Sequence, residues 1–548
     1  LIFSDLNLSC AKKKKSEFSE SFGILKFILL LKAKNTMQGN ILTTARNFLF
    51  IALFSTIGSF LVYKSIWTYG PLVSPDSAVY LQTAENFKNG YGISVRDADG
   101  FKVMTHWAPL YPIILSFFGD FRILNVLLAF ITSFTFGAII LDATRSIYAS
   151  ILSIILLSIS PTYVLIFSYL WSETLSLPFV LLTLFLIKKY LDRQSFYLIF
   201  IFSIFISIST LIRYANLFFI LIIVATFFVY RLPIRHLLLS LAISSAPFVL
   251  WQLRNISAPN PQFTTREISL HLPSIHHFYT LFSTLIGYIL PEKDTLLSIY
   301  ILPEKGLMLS KHFQNWPFIL VFSFILGIIV VFLSKKEGKI EISNWEKLLL
   351  ICSVCYTVFI FTSISIYDYT TPPDTRILSP LFLFLVIFSF VFIYKILNFK
   401  LRGALIYLVL TISYLNYELS YFQNIKENPR LHFLNKTSLS NLEIIKEIKD
   451  LPKDAYIYTN DPFLVYFGAK RFSSMMPLKF NPVANKPDKN FQDKMKDMYM
   501  KLKQKDGFLV IFYPFLPPYI PTREELETLL PLKVYKETKS GIIYKVRE

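Results

Sequence analysis

Apolar runs of about 17 to 20 residues recur from residue 46 to residue 417, separated by short polar links. Eleven such windows are legible: 46–63, 122–141, 149–166, 169–187, 195–212, 214–230, 237–252, 316–333, 346–365, 377–394 and 401–417. Each is long enough, or nearly so, to cross a bilayer as a helix. Lys and Arg mark alternate links: Lys188, Lys189 and Arg193; Arg231 and Arg235; Lys335, Lys336, Lys339 and Lys347; Lys395, Lys400 and Arg402. With a basic N-terminus inside, alternation of the spans puts every one of these links inside as well, as positive-inside bias requires. It puts 64–121, 253–315, 366–376 and 421–548 outside. Span parity and charge agree, which hydropathy alone does not guarantee.

The outer segments carry further elements. Residues 74–89 (SPDSAVYLQTAENFKN) read as a helix, with Pro75 in the first turn, Asp76 near the positive end and Gly90 as a stop. Residues 109–118 start with Pro and are too short to span. They suit an interfacial or re-entrant helix. After Tyr421 the period changes. Helices are expected at 441–448 and, behind a Thr522 cap, at 522–530. Strands are expected at 455–459, 508–513, 533–535 and 542–546, with a short helix or turn at 463–467 and a Pro-rich connector at 515–521. The expected architecture is a polytopic α-helical membrane protein of about eleven transmembrane helices. Residues 1–45 form an N-terminal cytoplasmic extension, 46–420 the membrane domain with its long outer loops 64–121 and 253–315, and 421–548 a small extracytoplasmic α/β domain.

Composition strengthens the membrane reading. Of 548 residues, 54% are hydrophobic and 17% aromatic, 54 of them Phe. The net charge of +19 suits anionic lipid headgroups, because it concentrates in the inner links and the Lys-rich ends. No basic recognition helix or aromatic-interleaved patch accompanies it, so nucleic acid is not an expected partner. Cys10, Cys352 and Cys355 are the three cysteines. They define neither a disulfide framework nor a zinc site, and their scarcity fits a bacterial inner (plasma) membrane. Residues 1–36 read as an upstream extension or a surface-lying helix, with Met37 an alternative start.

The candidate chemistry clusters at outer span ends. Asp76 is a carboxylate beside a helix N-terminus, above an apolar bundle, where a general base would sit. The plainer reading is a helix-dipole charge. Glu173, in 169–178 (YLWSETLSLP), is either a substrate contact or a solvated helix-start residue. Arg213 and Arg376 stand at outer ends, where positive-inside bias does not call for them. They would clamp a phosphate leaving group, or simply snorkel or pair with Glu173 or Asp368. Trp107 and Tyr111 are interfacial anchors or, for Trp107, a sugar platform. Tyr80, Lys102 and His106 are further substrate-binding candidates. Asp97 and Asp99 could support a divalent cation, Mg2+ or Mn2+, together with Asp76. His271, His276 and His277 show no zinc spacing.

Several of these pieces resemble a known family. Pro75-Asp76-Ser77-Ala78-Val79-Tyr80 with Ala84 and Gly90, and His106-Trp107-Ala108-Pro109-Leu110-Tyr111-Pro112, resemble the first outer loop of GT-C glycosyltransferases. The nearest group is the protein-mannosyltransferase and aminoarabinose-transferase-like set. Ser172-Glu173-Thr174, Leu211-Ile212-Arg213 and Arg376-Ile377-Leu378-Ser379-Pro380 are similar to later parts of the pattern. Thr459-Asn460-Asp461-Pro462 and Gly468-Ala469-Lys470-Arg471 are similar to its tail. The resemblance implies an inverting glycosyltransferase that moves a sugar from a polyprenyl-phosphate donor to a protein, lipid or glycan acceptor on the extracytoplasmic face. It makes Asp76 the catalytic carboxylate and Arg376 the donor-phosphate contact, with Arg213 and Lys102 in support. Relatives carry a second acidic residue before the Pro-Leu element. Here Lys102, Thr105 and His106 stand there, so His106, Asp97 or Asp99 would substitute.

The competing class is a transporter or flippase for a lipid-linked glycan. That class is expected to place polar residues and broken helices at mid-bilayer, often in two related halves. Asn255-Ile256-Ser257 and Asn435-Lys436-Thr437 match glycosylation acceptors on the expected outer side.

Overall fold

The structure, a computed structural model, describes residues 43–67, 70–259, 269–288, 342–397, 442–513 and 520–547. The expected spans 316–333 and 401–417, the connector 515–521, the sequon at Asn435 and all but the last three residues of the expected N-terminal extension lie outside these, apart from Ile520 and Pro521 of the connector. Contacts divide the described residues into two units, with the boundary between Phe54 and Ser55.

Nine expected spans fall on described residues, and all nine are helical. Among the described residues, five helices are long and apolar enough to cross a membrane: α1 (Thr43–Ile66), α4 (Phe121–Thr144), α7 (Ser172–Arg193), α10 (Ile234–Ile256) and α12 (Asn344–Ile366), with the shorter α11 (Ile275–Gly287) between the last two. Three shorter apolar helices are α8 (Phe196–Ile212), α9 (Phe218–Val229) and α13 (Ser379–Leu397). The chain is therefore a polytopic α-helical membrane protein.

The expected single span at 149–166 is two helices, α5 (Ile147–Ser158) and α6 (Pro161–Ser168), bent by 58°. Pro161 brings no N–H to continue the ladder, and the Ser160 side chain accepts from Tyr163 N at 3.3 Å, which caps a new helix. The span expected at 214–230 opens with a 3₁₀ turn over Tyr214–Leu217 before α9. Between α8 and that turn Arg213 is extended, at φ −155° and ψ 126°. Buried Asn216 holds this elbow, donating to Ser176 Oγ at 2.8 Å and to Ser209 O at 2.9 Å.

The first long connection holds α2 (Pro75–Lys88), the hairpin β1 (Ser94–Asp97) and β2 (Gly100–Val103), and α3 (Leu110–Ser116). The start of α2 follows its sequence: Pro75 takes the first turn and Ser74 N donates to Ser77 Oγ at 2.9 Å. Gly90 ends it at φ +83°, which few other residues adopt without strain. A one-rung parallel bridge ties the approach to α2 to the loop before α7, with Leu72 N on Ser168 O at 2.8 Å and Leu170 N on Leu72 O at 2.9 Å. Ser77 Oγ then donates to Leu170 O at 2.8 Å. Two stretches a hundred residues apart are thereby held side by side.

The opposite helix ends carry a different polar set. Lys189 Nζ donates to Asp142 Oδ1 at 2.7 Å and Trp345 Nε1 donates to Asp142 Oδ2 at 3.1 Å. Lys395 Nζ reaches Glu346 Oε2 at 3.1 Å. The C-terminal ends of α4, α7 and α13 thus meet the N-terminal end of α12, as the expected alternation of directions requires.

The described tail is a three-layer sandwich around a five-stranded sheet. Its strands are β3 (Ile457–Thr459), β4 (Ser474–Met475), β7 (Phe508–Phe512), β8 (Leu532–Thr538) and β9 (Gly541–Val546), in the order β4-β3-β7-β9-β8. A hairpin of two-residue strands, β5 (Phe480–Asn481) and β6 (Lys486–Pro487), lies apart from it. β7 is buried throughout: Leu509 and Ile511 pack with Met495, Met498 and Leu502, while Phe508, Val510 and Phe512 pack with Ile444, Ile445 and Ile448. The two-residue side-chain period of a strand divides the two faces. The expected helices and strands of the tail are present to within a few residues. The sequence reading assigns nothing to 491–504, where the helix Phe491–Gln504 lies. Its apolar positions 495, 498 and 502 are at helical spacing but sit among lysines. Phe463 and Phe467 pack into the same core as the membrane helices.

Gly541 faces Phe512 across the β7–β9 pair, and a Cβ there would lie 2.3 Å from Ile511 O. Backbone cannot yield as a side chain can, so Gly541→Ala should destabilise the tail by about 1–3 kcal/mol. Pulse proteolysis in urea checks this, with cutting expected at lower urea than in the unmodified chain.

Candidate active site

Four charged residues from four parts of the chain converge at one end of the bundle. Asp76 stands in the first turn of α2, Glu173 in the first turn of α7, Arg213 at the α8 elbow and Arg376 just before α13. Arg376 Nε donates to Glu173 Oε1 at 2.5 Å, and its Nη2 donates to Asp76 Oδ2 at 2.5 Å. Arg213 Nη2 reaches the same Glu173 Oε1 at 3.0 Å. Glu173 is wholly buried, whereas the Asp76 side chain keeps 27% of its surface open. Trp107 Nε1 donates to the other Asp76 oxygen at 3.2 Å.

Aromatic and hydroxyl groups frame this network. The Arg376 guanidinium lies 4.6 Å from the ring centre of buried Trp171, which stacks on Tyr169 at 3.9 Å. Trp171 Nε1 donates to Ser74 Oγ at 2.9 Å, so the base of the arginine is tied to the start of α2. Tyr80 OH donates to Ser172 Oγ at 3.2 Å, and Ser172 Oγ donates to Glu173 Oε2 at 3.3 Å. Burial, reinforced by the Asp76 and Glu173 carboxylates, pushes the Tyr80 phenol far above its ordinary pKa. Tyr80 is thus a neutral donor. Buried Asp374 accepts from Ile377 N at 2.9 Å and shapes the turn that carries Arg376; burial raises its pKa.

For Asp76, burial alone would raise the pKa. The Arg376 charge and hydrogen bond, the Trp107 bond and the Arg213 charge overcome it, and the carboxyl is held below its ordinary 3.8. In this state it is an anion clamped by a cation, with one flank open.

The structure brings together Asp76, Tyr80, Trp107, Glu173, Arg213 and Arg376 of the sequence candidates. His106 sits beside the cluster, its ring edge-on to Trp107 at 4.6 Å. The described ion pair of Lys102 is with Asp97, at 2.6 Å, across the β1–β2 hairpin. Asp99 accepts from Tyr456 OH at 2.6 Å and faces Lys501 and Lys505. The structure does not bring Asp76, Asp97 and Asp99 together as a cation set: Asp97 pairs with Lys102, and Asp99 meets Tyr456, Lys501 and Lys505. No group of three His, Cys, Asp or Glu suited to a metal occurs among the described residues. At the Asn255 sequon the side chain is buried and its amide donates to Thr105 O at 3.2 Å, so in this fold that amide is engaged within the protein. Trp171, Ser172 and Asp374 were not legible as site residues, although Trp171 and Ser172 lie directly before Glu173 in a segment already singled out.

No protein-family model and no curated protein matches the chain. Among solved structures it is similar to ArnT from Cupriavidus metallidurans bound to undecaprenyl phosphate. That likeness has a TM-score of 0.52 at 12% identity and covers 90% of this chain and 97% of that one. It is also similar to the oligosaccharyltransferase of Archaeoglobus fulgidus in the apo form, with a TM-score of 0.49 at 12% identity, covering 85% and 69%. The fold is thus of the GT-C type, as the sequence motifs imply.

A lowered carboxylate pKa links stability to pH with a definite sign. The Asp76 contribution is complete above the unfolded value and is lost as pH falls through the folded value, which lies below 3.8. The difference in melting temperature between the unmodified chain and Asp76→Asn should be constant from pH 7 to about pH 5. It should shrink below about pH 4.

Proposed function

We propose that this chain is a membrane glycosyltransferase that transfers a sugar from a polyprenyl-phosphate donor to an acceptor hydroxyl or amine, with inversion at the anomeric carbon. The observation that carries the reading is the Asp76–Arg376–Glu173 arrangement within a GT-C-type fold. It offers a partly open carboxylate and a guanidinium that a buried second carboxylate holds in place. The undecaprenyl phosphate bound to ArnT supports a polyprenyl-phosphate carrier here.

The chemistry follows from charge. The acceptor oxygen or nitrogen attacks the anomeric carbon, the carbon–oxygen bond to the phosphate breaks, and the acceptor proton passes to Asp76. The phosphate gains one negative charge as Asp76 loses one. Two carboxylates and two guanidiniums form a neutral set at rest. Once Asp76 takes the proton, the set carries one net positive charge beside the departing phosphate. Arg376 and Arg213 supply that stabilisation. No step requires Asp97, Asp99 or a metal. The positive-inside pattern supports an extracytoplasmic site, the scarcity of cysteine fits a bacterial plasma membrane, and a protein, lipid or glycan acceptor is compatible with both.

In the free state Arg376 is shared between Asp76 and Glu173. A donor phosphate competes only for the Asp76 share, because Glu173 is wholly buried. Donor binding therefore removes the cation that depresses Asp76, and burial then raises its pKa, making it a stronger base when the sugar is present.

Transfer of labelled sugar from a panel of polyprenyl-phosphate sugars by the purified protein in lipid, with native-membrane acceptors, tests the function. Activity is expected in the unmodified chain and absent in folded Asp76→Asn. Arg376→Lys should fall about a hundredfold in kcat, for the loss of one transition-state donor. Donor binding without transfer would instead favour a transporter. A second prediction concerns pH: the acid limb of kcat, which reports the donor complex, should lie at higher pH than that of kcat/KM, which reports the free enzyme. Coincident limbs would mean that Arg376 stays on Asp76 throughout.

A further inference from the structure

Residues 104–107 run between β2 and α3 without regular structure, so their backbone carbonyls need partners from elsewhere. Three of the four carbonyls receive them from side chains far along the chain. Arg254 Nη1 donates to Met104 O at 2.9 Å, Asn255 Nδ2 to Thr105 O at 3.2 Å, and Tyr214 OH to Trp107 O at 3.0 Å. These donors support one another. Trp251 Nε1 donates to Tyr214 OH at 2.7 Å, Asn255 Nδ2 approaches the same hydroxyl at 3.4 Å, and Arg254 Nη1 donates to Asn255 Oδ1 at 3.0 Å. The Tyr214 hydroxyl thereby uses its one donor and both acceptor positions. The Arg254 guanidinium lies 4.5 Å from the Trp251 ring centre.

We infer that Tyr214 and Asn255 are positioning residues for the proposed transfer: by gripping the 104–107 backbone they set the Trp107 indole that hydrogen-bonds Asp76. The inference rests on the transferase reading for its catalytic consequence, though not for the clamp itself. Two observations favour a functional role over packing alone. The gripped segment ends at the residue whose Nε1 meets Asp76 Oδ1, at 3.2 Å. Tyr214 also directly follows Arg213, which pairs with Glu173 at 3.0 Å. One backbone elbow therefore anchors both carboxylates, Glu173 through Arg213 and Asp76 through Trp107.

The consequence falls on the chemical step. Asp76 is oriented by two contacts, Arg376 on one oxygen and Trp107 on the other. When a donor phosphate takes the Arg376 hydrogen bond from Asp76, with Arg376 still held by Glu173, Trp107 is left to aim the carboxylate at the acceptor. Loosening the clamp misaims the base without touching the arginines that hold the donor, so kcat falls while donor KM stays.

The test uses the full chain in lipid with Tyr214→Phe, Trp107→Phe and the double variant. Tyr214→Phe keeps the ring and removes only the hydroxyl. It should lower kcat about tenfold, the size of one hydrogen bond, with donor KM unchanged. In the Trp107→Phe background it should cost nothing further, because the path from Tyr214 to Asp76 is already cut. Asn255→Leu should repeat the pattern. Hydrogen exchange provides a readout free of activity: amides of 104–107 should exchange faster in Tyr214→Phe, while those of α4 and α7 do not. Losses that add in the double variant, a KM rise at constant kcat, or unchanged exchange at 104–107 would each overturn the proposal. If the unmodified chain transfers no sugar, the transferase reading falls, and the clamp stands or falls on the exchange result alone.

Discussion

Glu173 begins a membrane-spanning helix with no surface open to solvent, and an ion in that position is costly unless its charge is matched nearby. Arg213 and Arg376 supply the match, one from the elbow after α8 and one from the turn before α13. Meeting that requirement draws three separated parts of the chain to one point. It also fixes Arg376 firmly enough that a single remaining guanidinium edge can be offered to Asp76. The proposed chemistry depends on this immobility, since a donor aimed in advance need not be reorganised during reaction.

The network is neutral as a set and uneven in exposure. Glu173 is sealed, while Asp76 keeps about a quarter of its side-chain surface open. An anionic ligand entering from the open side meets Asp76 as its competitor and Glu173 as a fixed support. Under the proposed function, the same asymmetry lets one carboxylate serve as scaffold and the other as base. Their residue types alone do not distinguish the roles; their burial does.

The tail and the first long connection are linked through the hairpin. Asp99 receives Tyr456 OH, and the Arg96 guanidinium lies 4.8 Å from the Phe472 ring centre. Tyr369 N donates to Val483 O at 3.0 Å, which joins the tail to the loop that leads to Arg376. The acidic pair Asp97 and Asp99 looked like cation ligands by spacing. Their neighbours Lys102, Lys501 and Lys505 make them docking charges instead, and two of those lysines lie about four hundred residues away, beyond the reach of any local reading. The same limit hid the identity of Asn255, whose sequon is local while its partners Thr105 and Tyr214 are not.

Hydrophobic period, loop charge and turn residues determined the helices, their alternating direction and the α2 start at Pro75, because each depends on neighbours within a few positions. They also brought Asp76, Glu173, Arg213 and Arg376 forward as outer-end charges. Tertiary structure alone decided that these four share one network, that Glu173 is sealed while Asp76 keeps one flank open, and that Trp171 lies under Arg376. It also decided that the 149–166 run bends at Pro161 and that Tyr214 grips the segment bearing Trp107. Contacts of that kind join residues 40 to 300 positions apart, and the energy that selects them is burial and charge matching between helices, which no window along the chain contains.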